Sequence, residues 1–295
     1  MKNTIFTGSG VAIVTPFCED GSVNYPALEK LLEFHIANGT DSIVICGTTG
    51  ESATLTVKEH SEVIKFTVDV VNHRIPVIAG TGSNETAYAV ELSNDAEKAG
   101  ADALLVVTPY YNKTSQRGLI QHYNFIADRV STPIIVYNVP SRTGVNVLPE
   151  TYKALSEHKN IVATKEASGN ISQIAQTAAL CGDNLDIYSG NDDQIVPIMS
   201  LGGKGVISVL SNICPKVAHD IPTLYLEGKC KESAELQLKY LELCNAMFMD
   251  VNPIPVKVAM RMMGFDVGPL RMPLCDMDEA STAKLKAILE KYSLI

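Results

Sequence analysis

Eight short apolar runs recur along the chain, with helical periods between them. They are Gly10–Val14, Ser42–Ile45, Pro76–Ala79, Ala103–Val107, Ile134–Tyr137, Ile161–Thr164, Leu185–Tyr188 and Gly205–Val209. Most are continuously apolar, which is the pattern of strands buried on both faces. Strands alternating with helices predict βαβ units and a parallel sheet. A repeat of about thirty residues, taken eight times, fills roughly 230 residues, close to the usual size of a (β/α)8 TIM barrel. A doubly wound α/β sheet is the competing architecture. The even spacing of eight strands, and the lack of a Gly-rich dinucleotide turn after the first, argue against it.

The helical stretches carry their own punctuation. Ala27 to Ile36 has an apolar stripe at Leu28, Leu31, Leu32 and Ile36. Thr56-Val57-Lys58-Glu59 fits a capping box opening the second helix. Asn84 is the expected cap of the helix that runs to Lys98, and Gly100 its stop. From about residue 230 only helical periods remain: Ser233 to Met249, Pro255 to Met263 and Ser281 to Tyr292. The expected organisation is a (β/α)8 catalytic barrel over residues 1–228 and a C-terminal helical extension over 229–295, with Gly228 near the junction.

Composition narrows the classes. The chain has 295 residues, of which 46% are hydrophobic and 19% charged, enough for a sizeable core. Its net charge of −9 disfavours nucleic acid and anionic membrane surfaces. No segment is apolar over the roughly 18 residues a membrane span needs, and the short run Val11–Val14 is a poor secretory core. Seven scattered cysteines without a C-x-x-C motif predict neither a disulfide framework nor a zinc site, and fit buried thiols in a reducing cytoplasm. Six histidines without an H-E-x-x-H pairing give no metal motif.

Function in this fold sits at the C-terminal strand ends. The second strand leads into Gly47-Thr48-Thr49-Gly50-Glu51, two hydroxyls and several N–H groups suited to a small carboxylate or phosphate, or a plain tight turn with Glu51 bonded to backbone. Gly80-Thr81-Gly82 superficially suggests nucleotide binding, but Glu85 stands where a third glycine is needed, so it reads as structural. The fourth strand delivers Tyr110 and Tyr111, and the fifth Tyr137, followed by Arg142, either a fork for a carboxylate or a surface ion pair. The sixth ends in Lys165-Glu166. A lysine closing a buried strand must snorkel, pair or lose its proton, and the last case makes it a Schiff-base nucleophile. Holding a lysine amine neutral at pH 7 costs roughly 4–5 kcal/mol, which burial plus a cation such as Arg142 could supply. The rival, Lys204, precedes the eighth strand and so lies at the stability face.

Gly47-Thr48-Thr49-Gly50-Glu51, Tyr137 with Arg142-Thr143-Gly144, and Lys165-Glu166-Ala167-Ser168-Gly169 together resemble the dihydrodipicolinate synthase and N-acetylneuraminate lyase family over essentially the whole chain. Each motif alone is modest; their order and strand-end placement are specific. The resemblance is nearer the synthases, whose Arg142 equivalent holds the carboxylate of aspartate semialdehyde. It implies that Lys165 attacks pyruvate, that the backbone of Thr48 and Thr49 binds its carboxylate, and that Tyr137 is acid and base, linked to solvent through Thr48 and Tyr111. It also implies that Gly190 and Ile207 line the pyruvate pocket, mostly through backbone, that no metal or organic cofactor takes part, and that Tyr111 enters a neighbouring subunit in a homo-oligomer, a dimer of dimers. Two other readings stand beside it. One is a related pyruvate aldolase acting on a sugar acid or N-acetylneuraminate, and the other a non-catalytic 2-oxo-acid binding protein.

The lysine-effector site of inhibited family members is matched here by Ser52, Ala53, His60, Asn84 and Tyr110, but Val57 replaces a usual histidine and Tyr88 a usual glutamate. Losing that glutamate removes the partner of the effector's ammonium, at a cost on the order of a few kcal/mol. Lysine feedback should therefore be weak or absent, and strong inhibition by sub-millimolar lysine in a steady-state assay would overturn this.

Overall fold

The computed structural model describes residues 2–295. Eight parallel strands close into a barrel in sequence order: β1 (Gly8–Ala12), β2 (Ser42–Ile45), β3 (Val77–Gly80), β4 (Ala103–Val107), β5 (Ile134–Asn138), β6 (Ile161–Glu166), β7 (Asp186–Ser189) and β8 (Gly205–Ser208). Around them run α1 (Tyr25–Ala37), α2 (Val57–Val71), α3 (Thr86–Ala99), α4 (Gln116–Ala127), the single turn α5 (Pro140–Thr143), α6 (Pro149–Ser156), α7 (Ile171–Cys181), α8 (Ile195–Met199) and α9 (Pro215–Leu226). Three further helices follow: α10 (Cys230–Ala246), α11 (Ile254–Met262) and α12 (Glu279–Lys291). The fold is the (β/α)8 barrel that the apolar runs predict. The expected boundary at residue 228 falls in the turn between α9 and α10, where Gly228 has φ +81°.

Two apolar layers hold the barrel. Inside it, alternate strand residues such as Ala12, Val44, Ile78, Leu105, Ile135 and Ile207 fill the lumen. Phe6, just ahead of β1, stacks on Tyr188 with ring centroids 4.4 Å apart, and the Tyr188 hydroxyl donates to the Phe6 carbonyl at 2.7 Å. Outside it, the opposite strand faces and the helices form one continuous core, which also takes in Leu243, Met247, Val256 and Met260 of the C-terminal segment.

Local signals are met to different degrees. The capping box forms as expected: Thr56 Oγ1 accepts from Glu59 N–H, and the Glu59 carboxylate accepts from Thr56 N–H. Gly100 ends α3 in a left-handed conformation. Asn84 is not a cap. The N-cap of α3 is Glu85, without a side-chain cap bond; just ahead of it Ser83 Oγ accepts from the Glu85 N–H and the Asn84 carbonyl from Asn112 Nδ2. β1 starts and ends two residues before the expected span. β6 continues past Thr164 to Glu166, since Lys165 pairs with both Tyr137 and Tyr188.

The barrel seam joins β1 to β8 through Gly8 and Gly205. A Cβ on Gly205, at φ +157°, would stand 2.0 Å from the Gly8 carbonyl oxygen, a contact only backbone movement could relieve. Gly205→Ala should lower stability by more than about 3 kcal/mol. Gly202→Ala, at positive φ but in open space, should cost only about 1–2 kcal/mol. Thermal unfolding of the two variants checks the difference, and equal losses would refute the seam argument.

Candidate active site

The C-terminal strand ends open onto a cavity of about 410 Å³. Its wall carries Thr48 and Thr49 from the turn after β2, Tyr137 from β5, Arg142 from α5, Lys165 from β6 and Gly190 after β7. Strand alternation explains the convergence: Ala163 and Lys165 face the lumen, while Thr164 and Glu166 face the helices. Lys165 is 5% exposed, and its Nζ lies 4.3 Å from the centroid of the Tyr137 ring. Among the described residues it forms no ion pair, unlike the fully buried Lys257. Gly190 is there for space, because a Cβ would meet Ala167 Cβ at 2.7 Å and Lys165 Cε at 3.2 Å.

Behind the wall, buried polar groups fix the strand ends. Glu166 accepts from Asn138 Nδ2 at 3.0 Å, Ser168 N–H at 3.0 Å and the Tyr152 hydroxyl at 2.9 Å. Burial raises its carboxyl above the usual range, and those hydrogen bonds work the other way. Burial, reinforced by the Glu166 charge, also pushes the Tyr152 phenol well up. Asp192 accepts the N–H groups of Val209 and Leu210 at 3.0 and 2.9 Å, tying the loop after β7 to the end of β8. Its carboxyl is raised by burial, against the hydrogen bonds and the positive charge of Lys165.

The turn after β2 is held from the C-terminal segment. The Glu51 carboxylate, at φ +53° in the turn, accepts from Lys257 Nζ at 2.9 Å and from Arg271 N–H at 3.0 Å. Lys257 completes its shell on the carbonyls of Thr15 and Pro269. Burial lowers its ammonium from the usual lysine range, and Glu51 opposes that. Asn252 Nδ2 donates to Thr49 Oγ1 at 3.0 Å, and the Asn252 carbonyl accepts from Arg142 Nη2 at 3.1 Å. Arg142 is otherwise exposed at the rim.

The remaining residues singled out from the sequence lie elsewhere. Ile207 is fully buried in the lumen, and its side chain is off the cavity wall, where Val209 stands instead. Tyr111 is 93% exposed at φ +67° and makes no hydrogen bond to Thr48 or Tyr137 within the chain. Ser52, Ala53, His60, Asn84 and Tyr110 lie on the segments after β2, β3 and β4, outside the cavity. His60 is buried with Nε2 2.9 Å from the Gly80 carbonyl oxygen, and burial lowers its imidazole. Lys204 sits at the opposite rim beside Asp186, 3.9 Å away. No helix among the described residues is long and apolar enough to cross a membrane.

A buried amine beside a phenol, at the mouth of a closed parallel barrel with hydroxyls and a guanidinium around it, is an arrangement suited to carbonyl chemistry. Known proteins give the family. The model of the dihydrodipicolinate synthetase family matches residues 5–292. The 4-hydroxy-tetrahydrodipicolinate synthase 1 of Clostridium acetobutylicum is 60% identical over 292 residues, 99% of each chain. That of Clostridium tetani is 60% identical over 293 residues, again 99% of each. Among solved structures, the dihydrodipicolinate synthase of Aquifex aeolicus is 46% identical with a TM-score of 0.95, covering 98% of this chain and 99% of its own. The chloride-inhibited enzyme of Acinetobacter baumannii, complexed with pyruvate, is 44% identical with a TM-score of 0.97, covering 99% and 100%. The chain belongs to the dihydrodipicolinate synthetase family.

Sequence reasoning missed Asn252 and Lys257. A lysine inside the apolar run Ile254–Met260 was a usable signal, because a lysine buried all round needs a partner; Asn252 carried none. Lys257→Met strands the Glu51 carboxylate in the interior, and unfolding free energy should fall by roughly 3–5 kcal/mol. Replacing both partners by apolar groups should cost less. Denaturant titration of the three proteins decides, and a single variant no worse than the double would sink the claim.

Proposed function

We propose that the cavity condenses pyruvate with L-aspartate 4-semialdehyde through a Schiff base on Lys165, giving 4-hydroxy-tetrahydrodipicolinate. This is a lyase-class step on the way to diaminopimelate and lysine. One observation carries the reading: a buried lysine amine 4.3 Å from the Tyr137 ring, on a wall shared with Thr48, Thr49 and Arg142. Relatives of that name at 60% identity over nearly the whole chain support it.

The chemistry follows from electron flow. The free amine of Lys165 attacks C2 of pyruvate. The tetrahedral adduct loses water, with Tyr137 supplying the proton that lets the oxygen leave. The iminium formed is an electron sink, so C3 gives up a proton and an enamine results. Backbone N–H groups at Thr48 and Thr49 hold the pyruvate carboxylate; both residues line the cavity, and Thr49 is buried. Gly190 leaves room for the adduct beside Lys165. Arg142 binds the carboxylate of the semialdehyde with its remaining donors. The enamine carbon then adds to the aldehyde. The substrate's own amine displaces Lys165 from the imine, which closes the ring and regenerates the free enzyme.

The proton path to solvent runs through Thr48 and Tyr111. Tyr111 is held in a left-handed conformation and projects from the subunit, a geometry suited to reaching a second copy's mouth, which supports a homo-oligomer as the working unit, in the form of a dimer of dimers by family resemblance. The enzyme works in the cytoplasm. The burial that pushes the thiols of Cys46, Cys214 and Cys244 up is consistent with those three serving as packing, whereas Cys230 and Cys275, expected to be buried, are exposed.

Incubation with pyruvate and borohydride, followed by mass spectrometry, should give one covalent adduct on Lys165 and none in Lys165→Arg. Turnover of the semialdehyde should be lost in that variant. Tyr137→Phe should reduce kcat by roughly 10²–10⁴-fold while leaving the fold intact. An unmodified wild-type chain would remove the Schiff-base reading. An adduct accompanied by turnover of sugar acids in preference to the semialdehyde would move the enzyme to the aldolases.

A further inference from the structure

The loop between α10 and α11 brings a residue from the C-terminal segment to the barrel mouth. Asn252 is 6% exposed and lines the cavity. Its two polar ends go to two different places. The side-chain amide donates to Thr49 Oγ1 at 3.0 Å, on the β2 side. The main-chain carbonyl accepts from Arg142 Nη2 at 3.1 Å, on the β5 side. No other residue among the hydrogen-bond partners of the mouth touches both.

The residue is in turn firmly anchored. α11 follows directly, and Ile254 through Met260 are all buried. One turn along that helix, Lys257 grips Glu51, two residues beyond Thr49 in the same turn. The threonine turn is thus held twice from one short stretch of chain. Asn252 Oδ1 meanwhile is buried without a donor. An orphaned acceptor is unfavourable for folding, and a residue chosen for stability alone has no reason to keep it.

We infer that Asn252 is a positioning residue that sets the separation between the carboxylate-binding turn at Thr48–Thr49 and the guanidinium of Arg142. It acts on both substrates without carrying the chemistry. This rests on the assignment of the turn to pyruvate and of Arg142 to the semialdehyde. Arg142 has five N–H donors, so the one given to Asn252 fixes its plane and leaves the others for a carboxylate. Thr49 Oγ1, tied to Asn252, keeps the backbone of the turn in one orientation toward the cavity.

The test is a double-mutant cycle in the full-length protein. Asn252→Ala removes the amide, and Thr49→Val severs the same bond from its other end with a near-isosteric side chain. Each should raise KM for pyruvate by roughly three- to tenfold, the range for one lost hydrogen bond. Arg142 meets the main-chain carbonyl, which alanine keeps, so KM for the semialdehyde should rise less than KM for pyruvate, with kcat changed less than either. The double variant should be no worse than the poorer single. Borohydride trapping at saturating pyruvate should still label Lys165 in all three, which separates failure of this inference from failure of the Schiff-base reading. Unchanged KM values in Asn252→Ala, or effects that multiply in the double variant, would overturn the inference. A melting temperature that falls while both KM values stay at wild type would assign Asn252 a purely structural role.

Discussion

Parallel pairing of β5, β6 and β7 is the constraint on which the site depends. It sets Tyr137, Lys165 and Tyr188 side by side across three strands. Residues paired in neighbouring strands point to the same face of a sheet, so the row faces the lumen together. A slip of one residue in β6 would exchange its faces, sending Lys165 to the helix layer and Glu166 into the cavity. The polar cluster behind the wall resists that slip. Asn138, Tyr152 and Ser168 all converge on the Glu166 carboxylate, and each bond would have to break at once in a buried place. The lysine and the glutamate that follows it are therefore one device. The glutamate locks the register on the outside, and the lysine is delivered on the inside.

The molecule buries two lysines, and their surroundings separate structure from chemistry. Lys257 has a carboxylate and two carbonyls around it and is spent on holding the C-terminal segment against the β2 turn. Lys165 has an aromatic ring, open cavity and a glycine where any larger residue would crowd it. Its neighbouring acid, Asp192, is committed to two backbone N–H groups at the end of β8. An amine surrounded in this way is free to form a bond to carbon, whereas one enclosed by acceptors is not.

Much of this was legible in the sequence, for identifiable reasons. The strands were readable because a parallel barrel buries both faces, so apolar residues run without interruption; only their ends were misjudged. β6 was cut short at Thr164 because its last two residues are charged, although the pairing carries on through them. Signals completed within one turn of chain, such as the Thr56–Glu59 box, held. Asn84 failed as a cap because α3 starts one residue later, with Glu85 at the N-cap. The placement of Lys165, Tyr137, Arg142 and the threonine turn at one cavity was legible because strand-end position and residue type coincide. Asn252 was not, and for Lys257 only the need for some partner was readable, because the partners themselves are some two hundred residues away in sequence. Ile207 shared a strand end with true wall residues but faces the packed lumen below them.

The two halves of the cavity differ in how they are built, and the difference matches the order of the chemistry. The amine and the phenol stand on strands, where hydrogen bonds on both sides leave them little freedom. Covalent capture of the first substrate needs that rigidity, since a reacting atom displaced by an ångström loses much of its rate. Arg142, proposed to meet the second substrate, is an exposed side chain on a single helical turn, steadied by a carbonyl from a loop beyond the barrel. A rim assembled from loops tolerates change without disturbing the strand register beneath it. The shared Schiff-base step can then stay fixed across a family while the acceptor aldehyde varies, and the residues to compare between such enzymes are those of the rim and the segment that holds it.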